Sequence, residues 1–254
     1  MRVADQIVVV TGGGRGLGSA IVRAFAREGA KVVVNYHRSR PQAEALVAEI
    51  GERDAVALRA DVTDQDAVDE MFATARTHFG DDVTTVVNNA LIDYTFNAEL
   101  RAHADELRWE DLATQFEGTV RGALHTVHAA LPGMRAREFG RIINVGTNLL
   151  QNPVVPYHDY TAAKAALLSL TRTLAADLGP DGITVNMVSG GLLRTTDASA
   201  ATPEAVFTAI AESTPLRRVV TPDEFADAVL FFASPWARAV TGQNLVVDGG
   251  LVKD

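Results

Sequence analysis

The chain has 254 residues, a formal net charge of −9 and a pI of about 5.1, which argues against a surface that holds nucleic acid or anionic lipid. It contains no cysteine, which excludes disulfides and thiolate metal sites, and no apolar run as long as a membrane span. The 47% apolar and 22% charged residues, with no signal-peptide pattern at the N-terminus, predict a cytoplasmic protein with a sizeable core.

Short apolar runs alternate with helical patterns through the first ninety residues. Strands are predicted at 6–10, 31–35, 55–59 and 84–87. Helices are predicted from the glycine-rich turn to about Arg27, and over 41–51 and 64–78. This alternation is typical of parallel β-α-β units with right-handed crossovers, and therefore of an α/β fold.

The pattern continues after a polar, irregular stretch over 91–108. The remaining predicted elements are a long helix at 109–134, a strand at 141–146, a helix at 157–178, a strand at 183–188, a helix at 222–233 and a strand at 244–247. Residues 190–221 are rich in Thr, Ser and Ala, and we predict a mobile segment there with a small helix near 203–211. Because no composition break marks a linker, we predict one domain over 1–254.

The turn Thr11-Gly12-Gly13-Gly14-Arg15-Gly16-Leu17-Gly18 lies between the first strand and the first helix. Backbone N–H groups at a helix N-terminus bind phosphate, and glycine lets the phosphate approach the backbone. A plain turn between a strand and a helix is the alternative. Its place in an alternating chain favours a nucleotide site.

The residues after the second strand indicate which nucleotide is bound. An acidic residue there binds the 2′-hydroxyl of NAD(H), whereas basic residues suit the 2′-phosphate of NADP(H). This chain has Asn35 at the strand end, followed by Tyr36, His37 and Arg38, and Arg15 lies within the glycine turn. NADP(H) is therefore favoured.

Tyr160 and Lys164 are four residues apart in the predicted helix and lie on one face of it. Two unit charges about 4 Å apart interact by about 4 kcal/mol at an effective dielectric constant near 20. That energy corresponds to roughly three pKa units, so we expect the lysine to lower the pKa of the phenol toward neutrality. An ordinary amphipathic helix is the alternative.

Together these motifs resemble the classical short-chain dehydrogenase/reductase family, most closely its members similar to 3-oxoacyl-(acyl-carrier-protein) reductase. The matching segments are Thr11 to Gly18, Asp61-Val62, Asn88-Asn89-Ala90, Tyr160-x-x-x-Lys164, Ile183-Thr184-Val185-Asn186, Thr241-Gly242-Gln243 and Asp248-Gly249-Gly250. The resemblance covers essentially the whole chain. It implies a single-domain Rossmann fold with a doubly wound, mostly seven-stranded parallel sheet flanked by helices.

The resemblance also implies roles for individual residues. Hydride passes from NADPH to a substrate carbonyl carbon, and Tyr160 donates a proton to the oxygen. Lys164 tunes the tyrosine and binds the nicotinamide ribose, Thr147 orients the carbonyl, and Thr119 takes the fourth catalytic position. The implied cofactor-binding residues are Gly12, Arg15, Gly16, Leu17, Gly18, Tyr36, Arg38, Asp61, Val62, Asn89, Ala90, Lys164, Gly190 and Thr195, with Thr196 as the alternative to Thr195.

The chain departs from the family pattern in four places. Thr119 replaces an Asn, Thr147 replaces the commoner Ser, Leu91 replaces a Gly, and Val188-Ser189-Gly190 replaces a Pro-Gly. We expect the Leu91 side chain to project near the cofactor. These departures support a second hypothesis of a different class, a nucleotide-binding protein with weak or no catalysis.

The resemblance predicts a 3-oxoacyl thioester as substrate, on acyl carrier protein or CoA, and hence fatty acid biosynthesis. Another ketone or alcohol is the alternative. Arg135, Arg137 and Arg141 are basic near the end of the long helix, but Glu138 interrupts them, and Asp181 stands where family members have an arginine. The net charge of −9 makes electrostatic attraction of an acidic carrier weak.

Four further expectations concern packing and assembly. The resemblance implies a homotetramer in which the 109–134 helix and the Tyr160 helix pair between subunits and the last strand completes a second interface. We interpret His125 and His128 as packing or surface residues and predict no metal site. Trp109 and Trp236 are interpreted as core or interface anchors.

Overall fold

A single parallel sheet organises the computed structural model, which describes residues 1–92, 94, 96–97, 101–194, 196, 199–200 and 202–253. Within these residues seven strands run in the order β3-β2-β1-β4-β5-β6-β7, and every neighbouring pair is parallel. The strands are β1 Ile7–Val10, β2 Lys31–Tyr36, β3 Ala55–Arg59, β4 Thr85–Asn88, β5 Gly140–Thr147, β6 Ile183–Gly190 and β7 Asn244–Val247. The strand order reverses between β1 and β4, where open α/β sheets bind ligands.

Helices cover both faces of the sheet. They are α1 Gly16–Arg27, α2 Arg40–Ile50, α3 Gln65–Phe79, α4 Trp109–Phe116, α5 Gly122–Ala136, α6 His158–Leu178, α7 Glu204–Ser213 and α8 Pro222–Ala233. One core cluster packs α1, α2 and α8 against the sheet, and a second packs α3, α5 and α6 against the opposite face. The doubly wound Rossmann architecture predicted from the sequence is confirmed.

Burial on both faces of the sheet explains why every residue of β1 is apolar, with no alternation of apolar and polar residues. Val8 and Val10 belong to the first core cluster, whereas Ile7 and Val9 belong to the second. Successive side chains of a strand point to opposite faces, so a strand covered on both sides needs apolar residues at every position.

The two ends of the chain meet beside β1. Helix α1 packs against α8, and Arg27 contacts Asp227 at 2.8 Å. The fully buried Gln6 carboxamide donates to the Ala233 carbonyl at 2.8 Å and accepts from the Thr85 hydroxyl at 2.6 Å. Gln6 therefore depends on a residue 227 positions further along the sequence.

The long helix predicted at 109–134 is not a regular α-helix. Helices α4 and α5 are joined by a π-helical turn, Glu117–Arg121, which adds a residue to the helical repeat and is often found at functional sites. A Cβ at Gly118 would lie 2.2 Å from Ile92 Cγ1, and a Cβ at Gly122 would lie 2.9 Å from Val62 Cγ2. The small residues thus let this turn approach the loops after β4 and β3.

Strands β5 and β6 extend beyond their predicted ends at 146 and 188. Thr147 lies opposite Gly190, and Ser189 lies opposite Val246 of β7. The Ser189 hydroxyl also donates to the Asn244 side chain at 2.7 Å. Serine has the backbone N–H that proline lacks, so the departure at 188–190 continues the sheet to the level of Thr147.

Burial bears on the expectations for the two tryptophans and for His125. Trp109 and Trp236 are 70% and 82% exposed, so neither is a core residue, and their interface role stays a prediction. His125 is buried with Nδ1 2.9 Å from the Val62 carbonyl oxygen, as expected of a packing residue.

No described group of three or more His, Asp or Glu residues is arranged to hold a metal. No described helix is both long and apolar enough to cross a membrane.

Candidate active site

The glycine turn leaves room for a ligand at the start of α1. Gly12 and Gly16 both have positive φ, at 63° and 53°. A Cβ at Gly18 would lie 2.2 Å from the Gly12 carbonyl oxygen, whereas one at Gly16 would meet no described atom within 4 Å beyond its chain neighbours. Arg15 is the N-cap residue of α1, and its side chain forms no capping hydrogen bond with the first backbone N–H groups of the helix. This cradle fits the phosphates of a dinucleotide.

Asn89 and Ala90 hold the turn in place. The Thr11 hydroxyl accepts from the backbone N–H of Asn89 at 2.9 Å and from that of Ala90 at 3.0 Å. The Asn89 amide donates to the carbonyls of Thr11 and Gly12 at 2.9 and 3.2 Å. Asn35 also holds the turn, a role that was not predicted: it is 2% exposed, and its side-chain oxygen accepts from the Gly12 N–H at 3.1 Å.

Charged residues gather where β2 and β3 end. The Asp61 carboxylate accepts from the backbone N–H and the hydroxyl of Thr63 at 2.9 and 2.8 Å, and it lies 3.7 Å from His37 Nδ1. Burial alone would raise the pKa of Asp61, but these hydrogen bonds and the charges of His37 and Arg38 hold it below its usual value. Arg38 and Asp61 therefore share one edge of the site. The Tyr36 side chain is 8% exposed and packs in the core.

Tyr160 and Thr147 meet at the carboxyl end of β5. Thr147 is the last residue of that strand, and Tyr160 lies in the first turn of α6. Both are buried, at 4% and 7% exposure. Burial raises the pKa of Tyr160 to about 12, although a hydrogen bond with the Thr147 hydroxyl acts in the opposite direction. The phenol is therefore protonated at neutral pH.

Lys164 lies beside the phenol but does not control its pKa here. Its Nζ donates to the Val145 carbonyl at 2.6 Å and lies 5.7 Å from the centroid of the Tyr160 ring. Burial lowers the pKa of Lys164 to about 8. The expected lowering of the Tyr160 pKa toward neutrality is wrong for this structure, because burial of the phenol outweighs the effect of its polar neighbours.

Thr119 shares a small cavity with Lys164. The cavity offers about 10 Å³ to the centre of a water-sized sphere, close to what one water needs, and Asn88 and Thr11 also line it. Thr119 lies in the π-helical turn, is 4% exposed, and its hydroxyl has no hydrogen-bond partner among the described residues. The structure thus brings Thr119 to the lysine, as the resemblance implied.

Aromatic residues around Tyr160 were not foreseen. Tyr94, Phe96 and Tyr157 form ring contacts with one another, and the first two also contact Tyr160. The sequence contains one indication of this cluster, the aromatic pair Tyr94 and Phe96 within the otherwise polar stretch 91–108.

The remaining predicted residues are dispersed around these groups. Leu17 lies in α1 and packs against the first core cluster, and the Val62 side chain is 5% exposed. Leu91 is half-buried. Thr195 lies outside the described residues, as do positions 197–198 and 201 of the segment predicted to be mobile. The alternative, Thr196, exchanges hydrogen bonds with Ser199, with the two hydroxyl oxygens 2.9 Å apart.

Comparisons with known proteins agree with this geometry. The family model described as Enoyl-(Acyl carrier protein) reductase matches residues 12–252. A short-chain dehydrogenase/reductase of Brucella melitensis, described as a glucose/ribitol dehydrogenase, has the same fold, with a TM-score of 0.87, 26% identity and 98% of each chain covered. The chain belongs to the short-chain dehydrogenase/reductase family.

Two relatives of this short-chain dehydrogenase/reductase carry different activities in their names. A versicolorin reductase of Emericella nidulans is 34% identical, with 98% of this chain and 96% of the relative covered. A 3-oxoacyl-(acyl-carrier-protein) reductase of Synechocystis is 35% identical, with 97% of each chain covered. Both names describe reductases, so the two relatives share the oxidoreductase class and differ in their substrates.

Proposed function

We propose that this short-chain dehydrogenase/reductase reduces a ketone to a secondary alcohol with NADPH. The observation that carries the proposal is the buried Tyr160 phenol, hydrogen-bonded with Thr147 and one helical turn from Lys164. When bound, NADPH supplies the hydride for the carbonyl carbon. The two hydroxyls beside each other offer two hydrogen-bond donors to one carbonyl oxygen.

The protonation states of the site fit this direction of reaction. With a pKa of about 12, Tyr160 carries its proton at pH 7 and can donate it to the developing alkoxide. The Thr147 hydroxyl then stabilises the phenolate that remains. Lys164, with a pKa of about 8, is mostly charged at pH 7 and adds a positive charge on the same side of the ring.

Replacing Tyr160 with Phe tests the catalytic proposal. The ring is kept and the proton donor is lost, so we expect kcat to fall by about 10²–10⁴ in NADPH oxidation assays. NADPH binding, followed by its fluorescence, should be unchanged. Wild-type protein that binds NADPH but reduces no ketone would support the alternative, a nucleotide-binding protein with weak or no catalysis.

The choice of NADP(H) rests on Arg15 and Arg38 and on the lack of a carboxylate directly after β2. We expect Arg38→Gln to lower kcat/KM for NADPH about tenfold and to leave NADH nearly unaffected, because only NADPH carries the 2′-phosphate. Arg40→Gln is the matched control, since Arg40 lies in α2 and pairs with Glu44 at 2.6 Å. Equal losses with both cofactors, or a wild-type preference for NADH, would contradict this assignment.

A 3-oxoacyl thioester is the substrate class that the motifs and the Synechocystis relative support. The basic residues near the end of α5 give little help to an acidic carrier. Arg135 pairs with Asp181 at 2.7 Å and Arg137 pairs with Asp81, while Arg141 is 6% exposed over the Phe139 ring. We therefore propose recognition of the acyl group rather than of a carrier protein.

Acetoacetyl-CoA with NADPH tests the thioester directly. Turnover at a rate typical of enzymes, with kcat of about 1–10³ s⁻¹, is the expected result. No turnover, together with reduction of other ketones, would favour the substrate difference that the versicolorin reductase name represents. A role in fatty acid biosynthesis goes with the thioester, and the cytoplasmic location stays a prediction from the sequence.

A further inference from the structure

The Tyr160 ring is enclosed by other aromatic rings of the described residues. The centroid of Tyr94 lies 5.1 Å from that of Tyr160, with 34° between the ring planes. Phe96 meets Tyr160 edge-on at 5.3 Å and Tyr94 at 4.9 Å. Tyr157 lies 5.8 Å from Tyr94 and 5.7 Å from Phe96. These separations are those of stacked and edge-to-face aromatic pairs.

An ion pair ties this cluster to the start of α6. The Arg101 guanidinium carbon lies 4.2 Å from the Tyr94 ring centroid, and the guanidinium pairs with Asp159. The Asp159 side chain is 4% exposed, and its carboxylate accepts from the Tyr160 N–H at 2.9 Å. Arg101 thus connects the Tyr94 ring to the residue directly before the catalytic tyrosine.

A substrate has to replace part of this packing. Its carbonyl oxygen must reach the Tyr160 and Thr147 hydroxyls, yet Tyr160 is 7% exposed beneath Tyr94 and Phe96. A flat aromatic ring can take over the face and edge contacts that the cluster gives up. A saturated ring or chain buries similar apolar area but cannot restore the aromatic geometry.

The Tyr94 hydroxyl adds a polar element to the same surface. It is buried and has no hydrogen-bond partner among the described residues. Burial is also the main cause that raises its pKa above the usual range. A buried hydroxyl without a partner costs free energy, and a polar substituent on a bound ligand would satisfy it.

We propose that Tyr94 and Phe96 are specificity-determining residues that select ketones carrying a flat aromatic ring beside the carbonyl group, with Arg101 as their positioning residue. The inference rests on the proposed ketone reduction and names its substrate class. It narrows the thioester assignment: among the ketones that the site reduces, those with an aromatic ring beside the carbonyl group are preferred over an aliphatic 3-oxoacyl thioester.

Two ketones with one carbon skeleton test the proposal. 2-Tetralone and trans-2-decalone both carry an unconjugated ketone on fused rings and differ in the aromaticity of the second ring. We expect wild-type kcat/KM to be about tenfold higher for 2-tetralone. Tyr94→Leu and Phe96→Leu should each reduce this ratio about fivefold, whereas Tyr94→Phe, which keeps the ring, should preserve it.

The control is Trp236→Leu, which removes an aromatic ring that is 82% exposed beyond the end of α8, and it should leave the ratio unchanged. A wild-type ratio near one, or a ratio unaffected by both leucine variants, would overturn the inference and leave ketone reduction intact. Failure to reduce either ketone or acetoacetyl-CoA would overturn the proposed function and the inference with it.

The Arg101→Gln variant tests whether Arg101 positions the Tyr94 ring or only stabilises the fold. If Arg101 acts through Tyr94, the variant should lose part of the 2-tetralone preference mainly through a higher KM for that ketone. Kinetics with trans-2-decalone should change little. An equal loss of kcat/KM for both ketones would show a merely structural role and would remove Arg101 from the proposal.

Discussion

At the scale of single residues, burial of the Lys164 ammonium costs free energy in the folded state. Lys164 is 3% exposed, and burial lowers its pKa to about 8 from an ordinary value of 10.5. The folded state therefore binds fewer protons than the unfolded state between these two values, and stability rises with pH across that window. Below about pH 8 the charged form opposes folding by roughly 3 kcal/mol.

We expect Lys164→Met to increase the free energy of unfolding at pH 7 by roughly 2 kcal/mol, since the loss of the Val145 hydrogen bond offsets part of the gain. The gain should shrink as pH rises from 8 to 10.5. Urea unfolding at several pH values measures it, with the exposed Lys253→Met as control. A destabilised variant at pH 7 would mean that the ammonium is better stabilised than its burial indicates.

The candidate catalytic residues could be named from the sequence, but their surroundings could not. The spacing indicates Tyr160 and Lys164, and the family resemblance adds Thr147 and Thr119. Arg101 and Asp159 are 58 residues apart, and no local pattern pairs them. Asn35 likewise lies at a predicted strand end, while its side-chain oxygen accepts from the Gly12 N–H and its amide donates to the Ala60 carbonyl just after β3. Contacts of this kind depend on how distant segments meet.

At the scale of elements, the start of α1 depends on the close approach of two glycines. A Cβ at Gly18 would meet the Gly12 carbonyl oxygen at 2.2 Å, and this backbone atom cannot move away by rotation of a side chain. The turn that is proposed to hold the cofactor phosphates would have to open instead.

Gly18→Ala should therefore destabilise the protein by about 1–3 kcal/mol and raise the Kd for NADPH at least tenfold. Thermal unfolding and fluorescence titration measure the two effects. Gly179→Ala is the matched control, because a Cβ there meets no described atom within 4 Å, and its stability should change by less than about 0.5 kcal/mol. Unaltered NADPH binding in Gly18→Ala would place the phosphates elsewhere.

Element types were predicted more reliably than element details. The alternation of apolar runs and helical periodicity identified the strands and helices, and their ends in the structure differ from the predicted ones by a few residues. The π-helical turn Glu117–Arg121 was missed, because one additional residue in a helix leaves composition and amphipathic pattern almost unchanged. Pairing with β7 lengthened β6, which no property of residues 183–190 alone indicates.

At the scale of the whole molecule, β7 is the edge strand next to β6 and exposes Leu245 by 39%. An exposed apolar residue on an edge strand is suited to a subunit interface. The predicted homotetramer, in which the last strand completes one of the two-fold interfaces, would use this residue.

We expect the wild type to be a tetramer and Leu245→Glu to be a dimer, because a charge at this position would be buried against its symmetry mate. Size-exclusion chromatography with light scattering gives both masses. Val154→Glu, at a residue 71% exposed in the loop before α6, is the control and should remain tetrameric. A monomeric wild type would rule out the assembly.

The bond from the Gln6 side chain to the Ala233 carbonyl also has a consequence for synthesis on the ribosome. The face of β1 that receives α1 is completed only when α8 arrives, more than two hundred residues later. Contacts between such distant positions close late and slow folding. The first strands therefore stay apolar and incompletely covered until α8 has left the exit tunnel. We therefore expect chaperones that bind nascent chains to stay bound longest to the N-terminal half of the protein.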